Sequence, residues 1–169
     1  KNMEEKTADD ILNALKAGNT GKTKEAMKTI NKLLFTHYDE KNGIIKGHEA
    51  TRTLETLRDK SIKLTDSKET RLRYAGVRGL NAIGISGVFD EKIPEMIDIF
   101  LRTILDENGN TRFISANAIG YMRPSEIAEV KGKFTETMYV DLYLTLQGMH
   151  DTQKDRKKKK SIIQALEKL

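Results

Sequence analysis

Cysteine and tryptophan are absent from this chain, and proline occurs only twice in 169 residues. Without cysteine there is no disulfide framework, no thiolate nucleophile and no cysteine-ligated zinc, and a reducing, cytoplasmic setting is expected. No apolar run approaches the ~18 residues that span a bilayer. The opening residues, Lys1-Asn2-Met3-Glu4-Glu5, also lack the apolar centre of a signal peptide, so a soluble protein without membrane partners is expected. Aromatic residues make up only 6% of the chain, which leaves few platforms for stacking single-stranded bases. Nucleophilic catalysis finds no support either, since no glycine-flanked serine elbow occurs and the carboxylates form no distinctive pair.

What is present is helical pattern. Hydrophobic residues account for 37% and charged residues for 33%, a ratio that leans towards elongated helical proteins, and the length fits a single domain over 1–169. The clearest periodicity is Ile93, Met96, Ile97, Phe100, Leu101 and Ile104, which share one face of a helix with 3.6 residues per turn. Turn-forming residues cluster at Gly18-Asn19-Thr20-Gly21, Lys41-Asn42-Gly43, residues 84–87 and Asp106-Glu107-Asn108-Gly109-Asn110. They divide the chain into eight expected helices, near 7–17, 22–37, 47–64, 67–84, 90–105, 110–122, 125–146 and 154–169. Thr7 with Asp10 and Asp66 with Glu69 have the spacing of helix starts, and Pro94 and Pro124 fall where a first turn tolerates proline.

Internal repetition organises these helices. The stretch Arg73-Tyr74-Ala75-Gly76-Val77-Arg78-Gly79-Leu80 precedes Arg112-Phe113-Ile114-Ser115-Ala116-Asn117-Ala118-Ile119 by 39 residues and matches it in physical type. Small residues at this spacing let two helices approach closely, with Leu80 and Ile119 expected in the core. Lys159 to Leu166 repeats the pattern more loosely. Asp106, Arg112, Ser115, Ala116, Ala118, Ile119 and Gly120 together resemble the second-helix signature of HEAT-like (armadillo-type) helical repeat proteins. Asp66 and Arg73 resemble the same pair one residue further apart. The resemblance implies an all-α, right-handed α-solenoid of about four antiparallel helix pairs, clearest at 47–84 and 90–122 and weaker at 7–37 and 124–169. It also implies that second helices line a concave face. HEAT-like DNA glycosylases show that such a scaffold can host chemistry, but their sites use the tryptophan that this chain lacks.

Charge is unevenly shared among the expected helices. Residues 22–37, 67–84, 107–123 and 153–169, taken as second helices, carry formal charges of +3, +3, +1 and +5, and the remainder of the chain carries −7 for a net of +5. Lys24, Lys28, Lys32, Arg71, Arg78, Arg156 and Lys157 are the expected binding residues of this basic face, which would concentrate a counter-charged partner. Arg73 and Arg112 are expected instead to pair with Asp66 and Asp106 in a structural ladder tying adjacent repeats. The expected function is a non-enzymatic scaffold that grips a protein with an acidic segment, with nucleic acid as the alternative partner and no cofactor or metal.

Two tempting motifs fail on spacing. Gly18-Asn19-Thr20-Gly21-Lys22-Thr23 ends like a phosphate-binding loop, but Lys16 stands where the first glycine is needed and a helix precedes it in place of a strand. The oxygens from Asp106 to Asn110 alternate as in a calcium loop, yet Thr111 replaces the glycine and Asn117 the closing glutamate. His37, His48 and His150 are too far apart in sequence for a helical metal site, and Tyr121, Tyr139 and Tyr143 are expected in the core.

Overall fold

The computed structural model describes residues 1–84 and 90–169, and among them the chain is all helical, with no strand. It divides into two compact units, Lys1–Val88 and Phe89–Leu169. The first contains α1 (Met3–Ala17), α2 (Thr20–Lys41), α3 (Glu49–Thr65) and α4 (Thr70–Gly84). The second opens with a 3-10 turn, Asp90–Lys92, followed by α5 (Ile93–Thr103), α6 (Gly109–Tyr121), α7 (Pro124–Lys131), α8 (Glu136–Thr152) and α9 (Arg156–Lys168). The expected turn at 84–87 lies almost wholly outside the described residues.

Three expected boundaries move, each because a different cap wins. The first helix begins before Thr7, since the Asn2 side chain accepts the Glu5 amide at 2.8 Å and so satisfies a free donor of the first turn. Asp66 ends α3 and does not start α4. The single helix expected over 125–146 is two helices, because α7 stops at Lys131 and the Thr135 hydroxyl accepts the Met138 amide to start α8. Pro94 and Pro124 do occupy first turns.

Each unit has its own core. In the first, Ile11, Leu12 and Leu15 of α1, Ile30 of α2, Leu54 and Leu57 of α3, and Val77, Leu80 and Ile83 of α4 are buried. In the second, all six periodic residues from Ile93 to Ile104 are buried together with Ile119, Ile127, Leu142, Leu146 and Ile162. The small residues act as expected where α4 meets α3: a Cβ added at Gly76 would stand 2.6 Å from the Ser61 carbonyl and 3.0 Å from Leu64 Cβ. On α6, Ser115 is buried and its hydroxyl lies 2.7 Å from that of Thr103 on α5.

The turns before α4 and α6 are built alike. Arg73 Nη1 donates to the carbonyls of Ser67 and Lys68 at 3.1 and 3.0 Å, and Arg112 Nη1 donates to those of Asp106 and Glu107 at 2.8 and 3.0 Å. The Ser67 hydroxyl accepts the Glu69 amide at 3.1 Å, as Asp106 Oδ1 accepts the Asn108 amide at 2.9 Å. Ser67, rather than Asp66, is therefore the counterpart of Asp106, which removes the one-residue mismatch in the sequence comparison. These arginine bonds run to backbone within each turn.

Candidate binding surface on α2

Both ends of α2 are fixed, and that fixes which way its side chains point. Gly18, at φ 71°, closes α1 through its amide to the Leu15 carbonyl, and Asn19 then accepts the Lys22 amide at 2.8 Å to open α2. The glycine-rich stretch is thus a two-residue link between helices. At the far end, Glu40 is buried and accepts the Ala50 and Thr51 amides at 3.0 and 2.8 Å and the Thr51 hydroxyl at 2.8 Å. It thereby caps α3, whose own cap residue, His48, contributes no side-chain bond. Thr51 Oγ1 also lies 2.7 Å from His37 Nδ1.

With Ala26 and Ile30 turned into the core, the opposite side of α2 faces solvent. Residues there follow from a rotation of roughly 100° per residue. Lys24, Lys28 and Lys32 fall within roughly 80° of one another around the axis and span about 12 Å along it. All three are exposed, and no carboxylate among the described residues forms an ion pair with them. The same stripe carries Phe35 and Tyr38, which are 76% and 62% exposed. Asn31, Leu34, Phe35, Tyr38 and Asp39 line a shallow cleft of about 580 Å³ on this helix. Beyond it the chain folds back, the amides of Ile44 and Ile45 both reaching the Asp39 carbonyl, while both isoleucine side chains remain exposed.

The remaining expected binding residues are differently placed. Arg71 is exposed but stands 3.8 Å from Glu69, which offsets its charge. Arg78 is half-buried, with its Nε out of contact with solvent and without a hydrogen-bond acceptor among the described residues. Arg156 and Lys157 are exposed in the first turn of α9, where Asp155 accepts the amides of Lys157 and Lys158 at 2.9 and 3.1 Å. Lys158 Nζ rests 5.3 Å from the centre of the Phe113 ring.

No family model, no curated protein and no solved structure matches this chain. The chemistry open to the surface must therefore be taken from its residues. Among the described residues no three histidine or carboxylate side chains converge as metal ligands, and no helix is long and apolar enough to cross a membrane. Glu4, Asp9, Glu40 and Asp155 all titrate below their ordinary range, in ion pairs or at helix starts.

The aromatic part of the stripe was missed from the sequence, where charge was summed helix by helix. A helical projection of residues 20–41 would have revealed it, since Phe35 lies between Lys24 and Lys28 around the axis. Expectation also fails at Tyr121 and Tyr143, which are 60% and 41% exposed. Tyr121 ends α6 on the side shared with Asn117, and Tyr143 shares its side of α8 with exposed Val140 and Leu144, away from buried Leu142 and Leu146. Tyr139 is half-buried and donates from its hydroxyl to the Leu169 carbonyl at 3.0 Å.

Proposed function

We propose that this chain is a non-enzymatic interaction module, built as a right-handed HEAT-like solenoid of antiparallel helix pairs, that binds an acidic protein segment in a reducing cytoplasm. Support for the architecture comes from the matching turns before α4 and α6, 39 residues apart, with equivalent arginine and side-chain bonds. The observation that carries the function is the row of exposed lysines at 24, 28 and 32, which form no ion pair among the described residues. Cations left unpaired on one helical face draw in a partner of opposite sign.

Fluorescence anisotropy tests this with the full chain titrated against labelled polyglutamate, duplex DNA and single-stranded RNA at low salt. The expected outcome is saturable polyglutamate binding that weakens when Lys24, Lys28 and Lys32 are all changed to glutamate. Binding to all three no tighter than ~0.1 mM, below ordinary non-specific nucleic-acid affinity, would reject the proposal. A nucleic-acid reading is favoured by one feature, the exposed Arg156, Lys157, Lys158 and Lys160 of α9. It replaces the first if DNA or RNA binds more tightly than the peptide and the α9 charges carry the difference.

A further inference from the structure

We infer that the outer stripe of α2 is a docking site for an acidic amphipathic helix, with Phe35 and Tyr38 taking the partner's aliphatic side chains and Lys24, Lys28 and Lys32 its flanking carboxylates. This rests on the acidic-partner reading above and narrows it to a class of ligand.

The position of Phe35 is the starting point. A phenylalanine usually supplies the largest apolar burial a helix can offer, yet here it points away from the core that Ala26 and Ile30 enter and is 76% exposed. Tyr38 stands one turn further on, and Leu34 borders the same cleft of about 580 Å³. Single exposed apolar residues need no explanation, but a contiguous group beside a shallow cleft marks a binding surface.

Charge chooses the occupant. Three lysines run N-terminal to the aromatic pair on the same side of the helix, and only Glu25 and Asp39 of α2 counter them nearby. An apolar helix without carboxylates would leave those cations unanswered, whereas an acidic helix with aliphatic residues at i, i+3, i+4 and i+7 answers both halves of the stripe. Phe35 and Tyr38 offer nucleic acid two stacking platforms, whereas Leu34 and the neighbouring exposed Ile44 and Ile45 are aliphatic and match the apolar side chains of a helix, which favours the peptide. α2 has 22 residues, about 33 Å of rod, so a partner helix of about 16 residues, roughly 24 Å, can lie along it.

The test uses the full chain and a labelled peptide of about 16 residues, with leucines at helical spacing flanked by glutamates. A scrambled peptide of equal composition, polyglutamate, duplex DNA and anionic phosphatidylserine vesicles serve as competing probes. The amphipathic peptide is expected to bind at least about tenfold more tightly than polyglutamate or its scrambled form. Phe35→Ala with Tyr38→Ala should erase that advantage while leaving polyglutamate binding unchanged, and circular dichroism should show the helices intact. Because the chain has no tryptophan, Phe35→Trp supplies a unique fluorophore at the centre of the stripe. Its emission should shift to the blue with the amphipathic peptide only.

Equal binding of amphipathic and scrambled peptides, or a tryptophan that stays in water when the peptide binds, overturns the inference and leaves the acidic-partner reading standing. Failure of every acidic peptide, polyglutamate included, overturns both. A blue shift larger with vesicles or duplex DNA than with the peptide would assign the stripe to that ligand and likewise overturn it.

Discussion

Glu40 is 8% exposed and accepts three hydrogen bonds at the start of a helix other than its own. Burial by itself would raise its pKa, but the Thr51 hydroxyl, the Thr51 and Ala50 amides and the nearby His37 outweigh it and hold the group below its ordinary 4.5. A carboxyl depressed on folding stabilises the protein above its unfolded pKa and ceases to do so as pH falls through the folded value. Urea denaturation at pH 7 should therefore show Glu40→Gln less stable by about 1–2 kcal/mol, with the gap closing as pH drops below about 4. Paired glycines test the packing. Gly76→Ala, meeting the Ser61 carbonyl at 2.6 Å, should cost about 1–3 kcal/mol. Gly148→Ala, inside α8 with nothing within 4 Å, should gain about 0.5–1 kcal/mol. The small-residue pattern made Gly76 legible from sequence. Glu40 was not, because its partners belong to a different helix and nothing local marks it.

At the level of the helix, apolar spacing was legible and starting points were less so. Every residue of the Ile93–Ile104 pattern is buried, since a 3.6-residue period has one way to reach a core. The break between α7 and α8 was hidden, because Ile127, Val130 and Phe134 continue an apolar rhythm across it and Thr135 looks like any mid-helix threonine. Its hydroxyl is nevertheless the cap of α8. Removing caps should show where the helices depend on them: Asn19→Ala and Thr135→Ala are each expected to lower stability by about 1 kcal/mol in thermal unfolding. Arg112→Lys should cost about as much, since one ammonium cannot reproduce a planar group held on two successive carbonyls. If it behaved like wild type, those carbonyl bonds would be incidental to the turn.

For the molecule as a whole, the sequence disclosed an all-α chain and an uneven distribution of charge, and a charge count by helix did not show where the lysines meet apolar surface. Net charge sums over every residue, while a binding face depends on a few that share an angle about one axis. Each compact unit also has its own set of buried residues, so 1–88 and 89–169 expressed separately should each melt cooperatively and retain helical circular dichroism. A non-cooperative melt of either would show that its core is incomplete alone.

The lysines beside Phe35 have a second consequence, for the behaviour of the protein in concentrated solution. An outward phenylalanine is an invitation to self-association, and three neighbouring cations repel the same patch on another copy. Salt shortens the reach of that repulsion from about 10 Å at 0.1 M to about 3 Å at 1 M. Light scattering should accordingly find single molecules at low ionic strength and growing clusters as salt is added. Phe35→Ser should cluster less at every salt concentration, because the most exposed side chain of the apolar group is gone.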